Sequence, residues 1–299
     1  MTSIAQSRGA SVLPFVYMAG GIFLLSVMDS VVKGLSVAGY TTPQIVTMRY
    51  WTATLILIPL AFRLGGRWLS RPALLAGLAR GILTFVAASS FFHALGLIPL
   101  AIAVTLGFTT PFLVALIARI FLGEPIATRT ILAIVLGLSG VSVVMASEIV
   151  TIRPGRDIAD TVTGCVLVLV ASLSVASIFV LMRARKGGEG AIRMTFLQTL
   201  VAALLATAPG IVSWQPVAAM DWPLFLSTGA LGAAGMSLIA AAFIRAPAAR
   251  LAPFDYTAFV WATLIGYVVF KEPVDLSTFA GAALIISGCL LAASAGTGD

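Results

Sequence analysis

Charged residues are scarce in this chain. Only 10% of its 299 residues are Asp, Glu, Lys or Arg, where a soluble domain carries about 25%. With 60% hydrophobic residues and a mean hydropathy of +1.09, the sequence lacks the polar surface that a water-soluble fold needs. Histidine is nearly missing too: His93 is the single one, so a Ser/His or multi-His catalytic site has no parts. The two cysteines, Cys165 and Cys289, lie inside apolar runs, which excludes a disulfide framework and a metal cluster. No zinc-protease H-E-x-x-H, no G-x-S-x-G elbow and no G-x-x-x-x-G-K-[ST] phosphate loop occurs. No catalytic residue, metal or cofactor is therefore expected, and no ATPase subunit is evident within the chain.

What is present is a succession of apolar runs of about 20 residues, the length that crosses a bilayer. They predict an all-α polytopic membrane protein of ten spans near 12–36, 43–62, 72–95, 99–121, 129–147, 162–183, 191–211, 222–244, 250–270 and 275–294. The first run is too long for the core of a cleaved signal peptide and is read as a retained helix. The net charge of +7 does not point to nucleic acid, because the basic residues sit in short loops. Twelve of the eighteen fall at the N-terminus or in alternate loops: Arg8, Arg63, Arg67, Arg71, Arg119, Arg129, Arg183, Arg185, Lys186, Arg193, Arg245 and Arg250. By the positive-inside rule that face is cytoplasmic, with both termini on it, and the protein sits in the inner (plasma) membrane. The opposite loops hold Arg153, Arg156 and Lys271, leaving Lys33, Arg49 and Arg80 within spans.

The chain repeats itself. Residues 99–146 align without a gap on 247–294, an offset of 148, with eleven of 48 positions identical. The ordered markers Pro99, Glu124-Pro125 and Ser139-Gly140 fall on Pro247, Glu272-Pro273 and Ser287-Gly288. Extending the offset backwards places Gly81 on Gly229 and Ser89 on Ser237. The organisation is thus a first five-helix repeat at 1–148, an external linker at 149–161 and a second repeat at 162–299. Five is odd, so the second copy enters the membrane from the opposite side. Inverted copies around a central cavity suit a carrier whose halves exchange conformations by alternating access.

The ten-helix layout and the pattern from Pro99 to Gly140, echoed from Pro247 to Gly288, resemble the EamA-type repeat of the drug/metabolite transporter superfamily over nearly the whole chain. The resemblance implies a helical basket around a central cavity and export of small metabolites, notably amino acids. Two departures stand out. Pro111 has Phe259 as its counterpart, which bears on the symmetry of the two gates. His93 stands near a place where many relatives have Tyr, which bears on substrate choice.

Ionisable groups within spans are costly and usually face a cavity or a partner. Asp29 and Lys33 are four residues apart on one helical face, the spacing of a local ion pair, and Arg49 lies at similar depth. The three form either a neutralised polar cluster near the outer mouth or a site where Arg49 meets a substrate carboxylate or serves as a gate. Arg80 and Asp255 lie near the cytoplasmic ends of the third and ninth spans, as a gating pair or a static packing pair. Phe85, Ser89 and His93 recur every four residues along one face of the third span. His93 there is a cavity-lining residue, a titrating group or a hydrogen-bonded interfacial histidine.

Thr105, Phe108 and Thr109 precede the helix-disturbing Pro111 in the fourth span, and Tyr256, Thr257 and Trp261 occupy equivalent or nearby positions in the ninth. Hydroxyls beside aromatic faces suit an apolar substrate with a few polar groups. Ser172, Ser174 and Gln198 are weaker candidates. Glu124-Pro125 and Glu272-Pro273 read as caps at the start of the last helix of each repeat. Gly77, Gly81 and the run Gly229, Gly232, Gly235 read as close-packing faces. The expectation is a secondary exporter of neutral amino acids, including aromatic or large apolar ones, whose partners are its substrate and the bilayer and whose single chain completes the basket. The alternatives are a carrier of organic anions such as sugar phosphates or nucleotide sugars, and a non-transporting scaffold or receptor.

Overall fold

In the computed structural model the described residues are 12–63, 70–98, 103, 106–149, 158–185, 190–270 and 276–294. They form helices and contain no strand. In chain order these are α1 (Leu13–Val37), α2 (Thr42–Arg63), α3 (Arg71–Leu97), α4 (Thr110–Leu122), α5 (Thr128–Ile149), α6 (Ile158–Ala184), α7 (Ala191–Val212) and α8 (Trp222–Arg245). The ninth span comprises α9 (Ala248–Leu251), a 3-10 segment (Ala252–Tyr256) and α10 (Thr257–Phe270), and α11 (Leu276–Ser294) is last. Six of these, α1, α2, α3, α6, α7 and α8, are long and apolar enough to cross a membrane. α6 begins at Ile158, inside the linker expected from the sequence.

Two expected spans differ from the sequence reading. Among the described residues the fourth span has a turn at Phe108 and Thr109 and starts again as α4 at Thr110. The ninth tightens to 3-10 geometry before α10 starts at Thr257. Proline explains both positions. Pro111 stands in the first turn of α4, where its missing N–H costs nothing, and Pro253 opens the 3-10 segment in the same manner. Pro111 therefore starts a helix rather than disturbing one.

The packing exchanges the two halves. α1 packs on α8 as α3 packs on α6, α2 on α8 as α7 on α3, and α2·α7 and α5·α11 each pair a helix with its own counterpart. Glycines set the close approaches. A Cβ at Gly140 on α5 would come within 2.6 Å of the Gly281 carbonyl oxygen on α11. One at Gly288 would come within 2.9 Å of the Ala133 carbonyl oxygen. Because 140 maps on 288 and 133 on 281 at the 148-residue offset, each contact is the image of the other, and the two helices cross antiparallel. Likewise Gly81 on α3 receives Val201 of α7, while its mate Gly229 on α8 receives Thr52 of α2. This arrangement is consistent with two inverted copies around a pseudo-two-fold axis.

A central cavity on the pseudo-two-fold axis

The cavity that the repeats enclose has a volume of about 450 Å³, within the usual range for small-molecule sites. Its lining follows the duplication. Thr84 and Ala88 on α3 are matched by Gly232 and Met236 on α8, and Gly107 before α4 by Asp255 before α10. Arg49 on α2 is matched by Gln198 on α7, taking the register set by the Thr52 and Val201 contacts. The side chains at matched positions have diverged. Asp29, Arg49 and Asp255 bring charge from α1, α2 and the ninth span, whereas α3, α6 and α7 contribute Phe91, Phe92, Phe179, Thr84, Ser172 and Gln198. Charge thus enters the lining from α1, α2 and the ninth span, and aromatic rings and polar uncharged groups mainly from α3, α6 and α7.

Among the charged lining residues, Arg49 is half-buried and acts electrostatically on Asp29. Its guanidinium also lies over the Tyr50 ring, 5.1 Å from the centroid, a cation–π contact that orients it. Gln198 donates from Nε2 to the Thr84 hydroxyl at 2.9 Å, and that hydroxyl donates to the Arg80 carbonyl oxygen at 2.8 Å. Thr110, the first residue of α4, also lines the cavity, so the positive end of that helix adjoins it.

The remaining candidates stand elsewhere. Phe85, Ser89 and His93 share a face, as expected, but it borders a second cavity between α2, α3 and α7. On the central cavity α3 presents Thr84, Ala87, Ala88, Phe91 and Phe92. Phe108 and Tyr256, mates in the duplication, stack on each other with centroids 5.6 Å apart, and Tyr256 is buried. Thr109 and Thr257, also mates, donate to the carbonyl oxygens of Leu106 and Phe254 at 2.7 and 2.6 Å. Each hydroxyl adds a second donor to a carbonyl that already accepts the backbone N–H of the same threonine. Trp261 meets Phe23 of α1 edge-on at 5.0 Å, and neither it nor Ser237 lines the cavity. Thr105, Pro99, Glu272 and Pro273 lie outside the described residues.

Among the charged groups within spans, Arg49 is the one that acts electrostatically on Asp29. Arg80 is fully buried beside the cavity wall rather than in it. Glu124 holds an ion pair with Arg183 of α6 at 2.6 Å. Its other oxygen accepts the backbone N–H of Ala248 at 2.8 Å, next to Pro247, the N-cap residue of α9. Glu124 and Pro125 precede α5 without belonging to it, so Glu124 caps a helix of the other repeat rather than its own. Arg183 also donates to the carbonyl oxygens of Phe243 and Ile244 at the end of α8, at 3.5 and 3.4 Å. One carboxylate thus ties the first repeat to three elements of the second.

At the opposite ends of α2 and α7 the sequence reading missed a second fastening. Tyr40 donates to the Asp221 carboxylate at 2.7 Å and accepts from the Ala218 N–H at 3.0 Å. Gln44 donates to the Gln215 carbonyl oxygen at 2.8 Å and accepts from its N–H at 3.1 Å. The hydrogen bond to Asp221 raises the Tyr40 phenol above its ordinary pKa, the bond from Ala218 opposing it in part. Completely buried Gln44, in a helix otherwise read as lipid-embedded, was the available signal.

With this geometry the comparisons with known proteins agree. The EamA-like transporter family matches residues 13–146 and 162–294, one copy per repeat. The chain belongs to that family. Among its relatives is the S-adenosylmethionine uptake transporter of Rickettsia felis (24% identity over 92% of each chain). The pseudopaline exporter of Pseudomonas aeruginosa is 29% identical over 90% of this transporter and 91% of that one. A riboflavin transporter of Brucella anthropi is 29% identical over 81% and 84%. A crystal structure of another protein matches with a TM-score of 0.78 over 93% of this chain and 96% of that one, at 19% identity, and shows the same fold. The transporter is a multi-pass membrane protein of the drug/metabolite transporter superfamily.

Proposed function

We propose that this transporter carries small amphoteric metabolites, neutral amino acids with large apolar or aromatic side chains foremost, and exports them across the inner membrane by alternating access. The mixed charged and aromatic lining of the central cavity carries this reading. Arg49 and the adjoining start of α4 receive a carboxylate, Asp29 and Asp255 an ammonium group, and Phe91, Phe92 and Phe179 the apolar body. An organic-anion carrier fits less well, because among the described lining residues one guanidinium stands against two carboxylates and Arg80 lies outside the wall. Interrupted helices beside a midplane cavity and halves related by a pseudo-two-fold are the parts from which alternating access is built. The loop charges support an orientation with both termini in the cytoplasm.

Uptake and export both occur among the relatives, so direction is read from flux. Proteoliposomes holding only this protein, loaded with a labelled amino-acid panel and tested with and without an inward proton gradient, should release L-phenylalanine or L-tryptophan saturably. A change with the gradient establishes proton coupling. If properly folded protein releases no amino acid, the substrate assignment falls.

A further inference from the structure

The second cavity, about 370 Å³, is distinct from the central one but adjoins it. Phe85, Ser89 and His93 of α3 form one side, Thr42 of α2 another, and Ala206 and Pro209 of α7 the floor. The cavity exists because α2 and α3 both pack on α7 and make no comparable interface with each other. Their counterparts in the second repeat, α7 and α8, do pack together. The gap is thus open on one side of the pseudo-two-fold axis and closed on the other.

Two residues line both cavities, Ala88 and Phe92. They lie on the strip of α3 between its central face and the face with Phe85, Ser89 and His93. Ala88 leaves space, and half-buried Phe92 fills part of it, meeting Phe91 edge-on with centroids 6.2 Å apart. An aromatic ring on two torsions is a partition that one rotamer change removes. The lining residues Thr42 and Pro43 of α2, His93 of α3 and Pro209 of α7 lie toward the ends of their helices that the loop charges assign to the exterior.

We propose that this lateral cavity is a transit site between the exterior and the central cavity, with Phe92 as the movable partition. It takes the same amphoteric class as the central site, the apolar part between Phe85 and Phe92 and the polar head on His93 and Ser89. The inference rests on the transporter reading above and deepens it.

The test separates the path from the cargo. In a background with Cys165 and Cys289 replaced by Ser, Ala87→Cys places a thiol on the central cavity. A membrane-impermeant methanethiosulfonate applied from outside to sealed vesicles reports access to that thiol. Ser89→Trp fills the lateral cavity from an exposed position and should slow modification at least tenfold. His93→Trp should do the same, and Phe92→Ala should accelerate it several-fold. Rates unchanged in the folded Trp variants overturn the transit path. In parallel, L-phenylalanine efflux should fall at least tenfold with Ser89→Trp, and normal efflux from that variant also overturns it. If wild-type protein moves no amino acid while Ser89→Trp still slows modification, the cargo assignment fails and the path stands.

Discussion

In the proposed function, Arg49 is the side chain on which recognition turns. Placed over the Tyr50 ring and beside Asp29, it is held toward the cavity before any cargo arrives. Arg49→Gln should weaken equilibrium binding of a zwitterionic amino acid at least tenfold, measured by calorimetry in detergent, because a charge-assisted bond to the carboxylate is lost. Glu124 has a different kind of role, since it joins two repeats rather than touching cargo. Glu124→Gln should cost about 1.5–3 kcal/mol, the worth of hydrogen bonds to charged groups, seen as a lower thermal unfolding temperature. The same loss should not be added again in the double variant with Arg183→Gln. At Tyr40 the sign runs the other way from a carboxylate. Its raised pKa means that the Asp221 bond stabilises fully below the phenol's ordinary value near 10 and loses its effect as pH rises past the elevated one. Tyr40→Phe should remove that high-pH component from a stability profile and leave the neutral range only uniformly lower.

The interrupted spans show how far the sequence could be read at the level of elements. Hydrophobic runs located all ten spans, and the rarity of charge inside them made Asp29, Arg49 and Asp255 visible, because each such residue needs a reason to be there. Which face points to the cavity was not legible. A membrane helix buries apolar side chains against protein and lipid alike, so nothing marks the 100° that separates Thr84 and Ala88 from Phe85 and Ser89. The duplication identified Phe108 with Tyr256 and Thr109 with Thr257 but could not show that the first pair stacks and the second donates to backbone carbonyls. Pro253 and Pro111 carried the signal for the interruptions, and reading each proline as the start of a helix would have found them. At the α5–α11 crossing, Gly140→Ala and Gly288→Ala each push a methyl against a backbone oxygen. Each should destabilise by about 1–3 kcal/mol, the usual cost of overpacking, and by similar amounts because the contacts are images of each other. Chemical unfolding of the two variants in the same detergent checks this.

In the whole molecule two related halves enclose one cavity, and divergence at matched positions has made its lining unlike from one half to the other. In the proposed carrier, symmetry would supply the ability to open to either side, and the broken symmetry of Arg49 against Gln198 and Asp255 against Gly107 would supply recognition. Cargo moving in either direction would meet the same central lining, whatever route leads to it, so loss of a central contact should slow flux both ways. Exchange is therefore the most direct measurement. Proteoliposomes preloaded with unlabelled L-phenylalanine are given external labelled L-phenylalanine, comparing wild type with Arg49→Gln and Asp29→Asn. The account predicts saturable, trans-accelerated exchange in wild type and at least a tenfold loss in both variants whose fold is intact. Exchange that persists unchanged in both variants would contradict the placement of the site at the central cavity.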